Sequence, residues 1–533
     1  MKFLTRSILI LMALYGLLFA LLDAYLVHVG GPIWLAVAFP IVFVGLQYVC
    51  SPYIISWVLD IVWDDAKKDL PARNREFLEQ LCAQRGIPVP RVGIIYSGTP
   101  NAFSFGRVQS DARVVVTRGL LDVLTPEESN AVIAHEVGHI EHYDFAVMAI
   151  ASLVPLLLYQ IYVFTRQFNN GRLVAYTAYL CYILSQFIVL CLNRTREYYA
   201  DQYSSEVTHT PGALSSALVK IAYGLVRAEG EYEKAVKLGS PGEKTYWRRE
   251  HRLGGSVALL GISNVHSGAA LALSGADPGA AAAVMQWDLV NPWARVYELQ
   301  STHPLTALRI RSLNDQEASA GMTSEYQLPQ DQKIRWGGAF PMELLLWAAP
   351  WVFGFALFTS FSFGRTLSQL GVDISPSFNP LMLFCLGVTW FLRVAYRYRG
   401  KFQDSNVETL IRDLGVSQMQ PRAVRLKGKI VGRGMPGAFW SPDLVLRDAS
   451  GIIFLLYRQT IPFARFLFAI SAVENYIGQE VTVEGWFRRG AAPYVEMGKL
   501  TGSDGKTQRT YSRWIQFALA LAAVAVACLW LIS

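Results

Sequence analysis

Seven apolar runs decide the class of this chain before any motif is read. They cover Leu4–Val27, Ile33–Trp57, Phe145–Phe164, Ala175–Leu192, Phe340–Phe361, Phe378–Val394 and Trp514–Ile532. Each approaches the roughly 20 residues an α-helix needs to cross the hydrocarbon core of a bilayer. Backbone amides find no water there, so runs of this length fold as helices. Composition agrees: 52% of the 533 residues are hydrophobic and 17% are charged, with mean hydropathy +0.28. The expectation is a mainly α, polytopic membrane protein rather than a soluble globular one. The first run follows Lys2 and Arg6 as a signal peptide would. It is long enough to span, lacks a small-residue cleavage site and is soon followed by a second span, so it reads as an uncleaved anchor.

A formal charge of +7 fits orientation better than nucleic-acid binding. Lys67, Lys68, Arg73 and Arg75 follow the second run, Arg194 and Arg196 the fourth, and Arg393, Arg397, Arg399 and Lys401 the sixth. Arg509 and Arg513 introduce the seventh, whereas His28–Pro32 carries no Lys or Arg. Arg166 and Arg172 run against the trend. Basic residues gather on the cytoplasmic side, which puts the N-terminus and the large soluble segments there and the C-terminus outside. No dense basic-aromatic run points to nucleic acid. Cys50, Cys82, Cys181, Cys191, Cys385 and Cys528 form no CxxC pair and read as small buried hydrophobes.

The runs divide the chain into two N-terminal spans (1–60), a region 61–339 interrupted by a transmembrane hairpin (145–192), two further spans (340–400), a soluble region 401–510 and a last span (511–533). Within the first soluble part, Val92–Tyr96 and Arg113–Thr117 look like short strands. The Gly/Ala/Ser-rich stretch Gly254–Ala283 reads as a mobile loop with short helix. In 401–510, Val424–Val431, Leu444–Leu446, Ile452–Tyr457 and Val481–Phe487 alternate apolar and polar residues between glycines. A small β-barrel or sandwich with OB-like strand order is expected there.

The stretch with chemistry in it is His135-Glu136-Val137-Gly138-His139, on a helix announced by Thr125-Pro126-Glu127-Glu128. Thr at the N-cap, Pro next and an acidic residue third make a good helix start. His135 and His139, one turn apart on one face, can fill two positions of one Zn²⁺ tetrahedron. Glu136 can then reach water at the metal as general base. Without a third ligand, the same residues describe a surface helix with two solvated histidines. His142 shares the face of His139 but points past a metal held by the other two. Glu197 fits better, because an antiparallel hairpin returns its ends to one depth and so brings Glu197 beside the histidines. Asp201, one turn on, can hydrogen-bond a ligand imidazole.

The ordered set Asn101-Ala102-Phe103-Ser104-Phe105-Gly106, Val114–Leu121, His135-Glu136-Val137-Gly138-His139 with Asp144 closing that helix, Glu197-Tyr198-Tyr199-Ala200-Asp201, Thr302-His303-Pro304 and Arg309-Ile310 resembles the HtpX branch of the membrane zinc metallopeptidases. That family also contains the CAAX prenyl endopeptidases. The resemblance covers roughly Ile61–Leu313 and implies a gluzincin-type domain with one Zn²⁺ per chain on His135, His139 and Glu197, and Glu136 activating water. It further implies that His303 faces the reacting centre as an oxyanion donor and that Asn101 holds substrate backbone. Arg113–Thr117 would be an edge strand on which an extended peptide adds. Beyond about Leu313 the chain departs from the HtpX pattern.

The reading is a zinc endopeptidase of membrane or membrane-proximal polypeptides, a multi-pass protein of the bacterial inner membrane with its active site in the cytoplasm and a role in quality control. One alternative is CAAX-type processing of prenylated proteins; another is a membrane scaffold working through 401–510. A site-2 type intramembrane protease fits poorly, because Glu127, Glu128, Glu141 and Asp144 surround the motif.

Overall fold

The computed structural model describes residues 33–59, 61–63, 70–168, 172–222, 278–328, 339–369, 375–433, 441–460, 462–490 and 493–532. The first apolar run, the hairpin turn at Asn169–Gly171 and most of Gly254–Ala283 lie outside them. Among the described residues, six helices are long and apolar enough to cross a membrane: Ile41–Val58, Asp144–Thr165, Val174–Thr208, Ala339–Phe361, Phe378–Arg397 and Ser512–Ile532. They match the remaining six runs. The largest difference is at the fourth. Its apolar part is only the beginning of one helix, Arg172–Thr208, which continues through Glu197 and Asp201.

The chain folds as two compact units, Met1–Leu289 with Arg295–Leu328, and Val290–Ala294 with Pro329–Ser533. The first holds a four-stranded sheet of β1 (Val62–Trp63), β2 (Arg91–Ile95), β3 (Ala102–Phe105) and β4 (Arg113–Thr117), in the order β1-β2-β4-β3. β2 and β4 run parallel and the other neighbours antiparallel. This corrects the expectation for Arg113–Thr117: β4 is an inner strand, and the edges are β1 and β3. The reason lies in Val114-Val115-Val116, all at most 1% exposed, since a strand covered on both faces is a run of apolar residues and not an alternation.

The motif helix, Pro126–Glu141, starts as expected. Thr125 Oγ1 accepts from Glu128 N at 3.2 Å and Glu128 Oε2 accepts from Thr125 N at 2.9 Å, a complete capping box. Glu128 also takes the Lys220 ammonium at 2.7 Å and the Ser216 hydroxyl at 2.6 Å. From Ala131 to Ile140 every residue of this helix is buried. It packs on Arg172–Thr208 closely enough that a Cβ on Gly138 would stand 3.1 Å from the Tyr203 ring, and Ser204 donates to Ala131 O at 2.7 Å. Asp144 does not close this helix. The helix stops at Glu141, Tyr143 turns left-handed at φ 55°, and Asp144 opens the next helix, Asp144–Thr165.

In the second unit, Phe378–Arg397 packs on Ser512–Ile532; an added Cβ at Gly387 would meet Val524 Cγ2 at 2.7 Å and Ala520 O at 3.0 Å. Between these helices the chain builds β5 (Gln403–Asp404), β6 (Arg422–Arg433), β7 (Leu444–Arg447), β8 (Ile452–Leu456), β9 (Glu480–Arg489), β10 (Pro493–Gly502) and β11 (Thr507–Arg509). Five of them close on themselves as β6-β7-β8-β10-β9-β6, with β8 and β10 parallel and every other pair antiparallel. The region is a barrel filled by Leu426, Ile430, Leu446, Ile453, Val483, Phe487, Val495 and Leu500. The helices Pro462–Ser471 and Val473–Tyr476 connect β8 to β9.

Candidate metal centre

Two neighbouring helices deliver the donors. His135 and His139 come from Pro126–Glu141, and Glu197 from Arg172–Thr208, where the Gly138 contact lets the backbones approach. One ligand atom from each of the three lies within 4.8 Å of the others, and all three residues are buried. His135 Nε2 and His139 Nε2 are 3.2 Å apart, and each is 3.7 Å from an oxygen of Glu197.

The far side of each ring is engaged by a carboxylate. Asp144 Oδ2 stands 2.6 Å from His139 Nδ1 in a hydrogen bond, and Asp201 Oδ1 stands 3.0 Å from His135 Nδ1, at ion-pair distance but outside hydrogen-bond geometry. Such partners keep the proton on Nδ1 and leave the Nε2 lone pairs to converge. Asp201 is gripped by Arg309, whose Nε and second guanidinium nitrogen reach its two oxygens at 2.8 and 2.6 Å. Asp144 is paired with Arg196 at 3.0 Å. Burial pushes the His139 imidazole down, but Asp144, with Glu197 and Glu136, pushes it further up, so the net shift is upward. Burial likewise works against the Arg309 charge, and Asp201 and Glu197 outweigh it.

Glu197 Oε2 is buried without a hydrogen-bond partner. Its neighbours are His135 Nε2 at 3.7 Å and Arg309 at 3.5 Å, while Oε1 stands 3.7 Å from both His139 and His303. A buried carboxylate oxygen left unpaired is costly. A divalent cation among these donors removes that cost, so the residues fit a metal ion.

Around this cluster the other expected residues take distinct positions. Glu136, 3% exposed, accepts the Ser104 hydroxyl on its Oε2 at 2.7 Å. His303 faces Glu197, with Thr302 Oγ1 3.0 Å from its Nδ1, and burial shifts its imidazole down. Asn101 is buried just before β3, where its side-chain oxygen accepts from Ala102 N at 2.9 Å and its backbone oxygen accepts from Thr117 N at 2.9 Å. His142 is exposed, edge-on to Tyr199 and Tyr203. Sequence reasoning assigned no chemistry to Ser104, Asp144, Arg196 or Arg309. Asp144 was within reach of inference, since a break after Glu141 folds it back onto His139. The other three act through contacts that no local spacing announces.

A family profile described as "Peptidase family M48" matches residues 71–317. The "Protease HtpX homolog" of Methanothermobacter thermautotrophicus is 41% identical over 226 residues, covering 41% of this chain and 86% of that protein. The protein of the same name from Moorella thermoacetica is 32% identical over 240 residues, covering 42% and 79% respectively. Among solved structures, the crystal structure of S. mikatae Ste24p aligns with TM-score 0.36 and 15% identity over 58% of this chain and 65% of that one. The match to almost the whole length of an HtpX homologue decides the relationship: the chain belongs to peptidase family M48, as an HtpX-type multi-pass membrane protease.

Proposed function

We propose that the chain is a zinc-dependent endopeptidase that cleaves membrane or membrane-proximal proteins at the cytoplasmic surface of a bacterial inner membrane, in protein quality control. The observation that carries this reading is the convergence, beside Glu136, of two imidazoles and one buried carboxylate whose Oε2 has no hydrogen-bond partner. Two nitrogens and one oxygen suit Zn²⁺ and leave a fourth position for substrate or water. Bound there, zinc would polarise the scissile carbonyl and acidify water.

The residues do the rest. Ser104 fixes Oε2 of Glu136, which leaves Oε1 to take the proton of the attacking water and hand it to the leaving amine. Asp201 and Asp144 hold the histidine protons away from the centre, and Arg309 holds Asp201. With Thr302 at Nδ1 and burial favouring the neutral ring, His303 can present Nε2–H to a developing oxyanion. The extended substrate would add to the free edge of β3, where Asn101 precedes the strand and Ser104 connects it to Glu136.

The barrel's ring order, with its helix between β8 and β9, supports an OB-type assignment. A scaffold role through it, or processing of prenylated substrates, remains a competing reading of the same chain. Substituting Glu136→Gln decides between catalysis and scaffolding. Proteolysis of a membrane-tethered substrate should fall about 10²–10⁴-fold while bound zinc, measured by elemental analysis, is retained. Unchanged cleavage by the zinc-loaded variant would remove Glu136 as the base. Comparing farnesylated with unmodified substrate separates the two peptidase readings.

A further inference from the structure

The helix Pro462–Ser471 is apolar on two opposite faces. Phe468 and Ala469 point into the barrel, 4% and 0% exposed, and Phe468 stacks on Tyr457 with ring centroids 4.0 Å apart. On the other side, Phe463, Phe466, Leu467 and Ile470 are 65%, 46%, 44% and 48% exposed. Their spacing of three and four residues sets them in one stripe along the helix. Four large apolar side chains in one contiguous stripe mark an interaction surface rather than a solvated one.

Hydrogen bonds fix where that stripe lies. Thr460, two residues ahead of the helix, has its hydroxyl 3.1 Å from Ser512 Oγ and 3.4 Å from Ser512 O. Gln459 accepts from Tyr511 N at 3.2 Å and donates to Arg509 O at 3.3 Å. Ser512 is the first residue of the membrane-spanning helix Ser512–Ile532. The start of Pro462–Ser471 is therefore pinned at the height at which the chain enters the bilayer. Tyr511 and Trp514, 57% and 61% exposed, mark the same level, with Arg513 over the Trp514 ring at 4.6 Å. Aromatic and basic side chains take this place at a membrane–water interface. Below it, Leu519, Leu521, Val526 and Leu529 continue an exposed apolar surface down Ser512–Ile532.

We infer that Phe463, Phe466, Leu467 and Ile470 insert into the headgroup–acyl boundary of the membrane that Ser512–Ile532 crosses. The barrel is then held against lipid at a third point, besides its covalent connections to Phe378–Arg397 and Ser512–Ile532. Lipid is the occupant because the stripe begins at the bilayer entry point and continues the lipid-facing surface of the adjoining helix. An interfacial helix of this kind binds by the apolar area it sinks below the headgroups. Nothing in the inference depends on the peptidase site.

The test uses the full-length chain reconstituted in phosphatidylcholine vesicles, with an environment-sensitive fluorescent amino acid at position 466 or, as control, at the exposed Lys427. The probe at 466 should lose most of its emission to nitroxide-labelled lipid and be protected from iodide, with the reverse at 427. Quenching of the 466 probe by iodide would overturn the inference. So would shielding from both quenchers, which would mean cover by protein, a second copy included. Because a substitution at 466 can disturb folding, the unmodified chain is also exposed to photoreactive acyl chains. Cross-links on the peptide containing 462–471 are expected, and their absence alongside labelling of 512–532 overturns the inference as well.

Discussion

In the barrel, Glu496 is 3% exposed and both its oxygens are taken, Oε2 by Arg488 Nε at 2.8 Å and Oε1 by the Tyr398 hydroxyl. Glu343 in the same unit is as complete: Trp293 Nε1 and Ser417 Oγ reach Oε2 at 2.6 and 2.7 Å, and Tyr396 reaches Oε1. Glu197, in the peptidase region, is 4% exposed and surrounded by histidines and an arginine, yet its Oε2 has no hydrogen-bond partner. The same residue type is buried to the same depth in both regions. In one the donors come to the carboxylate; in the other they stop 3.5–3.7 Å away around a common point. A buried carboxylate whose hydrogen bonds are complete holds structure together, whereas one left open toward other lone pairs is prepared for a cation.

Neutralising each carboxylate should separate these roles, and the largest effect belongs to the open site. Glu197→Gln should reduce bound metal from one ion per chain to background and take proteolysis with it, while the folded protein remains as heat-stable as the metal-free parent. Elemental analysis beside thermal denaturation in detergent gives both readings. Retained stoichiometric metal would erase the contrast.

Next in size is Glu496→Gln. It leaves Arg488, 0% exposed, without its counter-charge, and breaking a buried pair from one side costs about 3–5 kcal/mol. The melting temperature should drop while bound metal per folded chain stays at one. A variant as stable as the parent would mean that the barrel cluster contributes no more than a surface pair.

Asp201 acts on the site through the His135 ring. Asp201→Asn keeps the shape but weakens the hold on the His135 Nδ1 proton, and partners of this kind are worth about 10–100-fold in metal affinity. Competition with a fluorescent chelator measures it. Arg309 loses half of its carboxylate company in the same variant, so a fall in stability without a fall in affinity would mark Asp201 as a structural ion-pair partner only.

What the sequence discloses about each region follows from how local its information is. The apolar runs are continuous, so six spans match helices among the described residues. His135, Glu136 and His139 sit on one turn, and Glu197 follows from hairpin geometry, so the cluster could be anticipated from spacing. Strand order could not. The resemblance implies an edge strand at Arg113–Thr117, but β3, a four-residue strand with no alternation to announce it, pairs on its outer side. β10 carries no apolar alternation to announce it: Glu496 and Lys499 interrupt it, and the burial of Glu496 depends on Arg488 of β9 together with Tyr398 and Arg397, partners distant in sequence or on another strand. Ser104, Arg196 and Arg309 are likewise legible only once the chain has folded, since each meets its partner across a different element.

The smallest effect concerns the start of the motif helix, which is fully buried from Ala131 to Ile140 and so depends on its cap for register. Burial raises the Glu128 carboxyl, but Lys220, Ser216 and the Thr125 amide together outweigh it and hold the group below its ordinary value. A carboxylate lowered on folding stabilises the protein above its unfolded pKa and loses that contribution as pH falls through the folded one. Glu128→Gln should therefore cost about 1 kcal/mol, the usual worth of a cap, at neutral pH. Its deficit against the parent in thermal denaturation should stay constant down to about pH 4.3, the ordinary glutamate value, and close only below it. A gap that closes already between pH 7 and 6 would assign the pH dependence to a histidine and not to this cap.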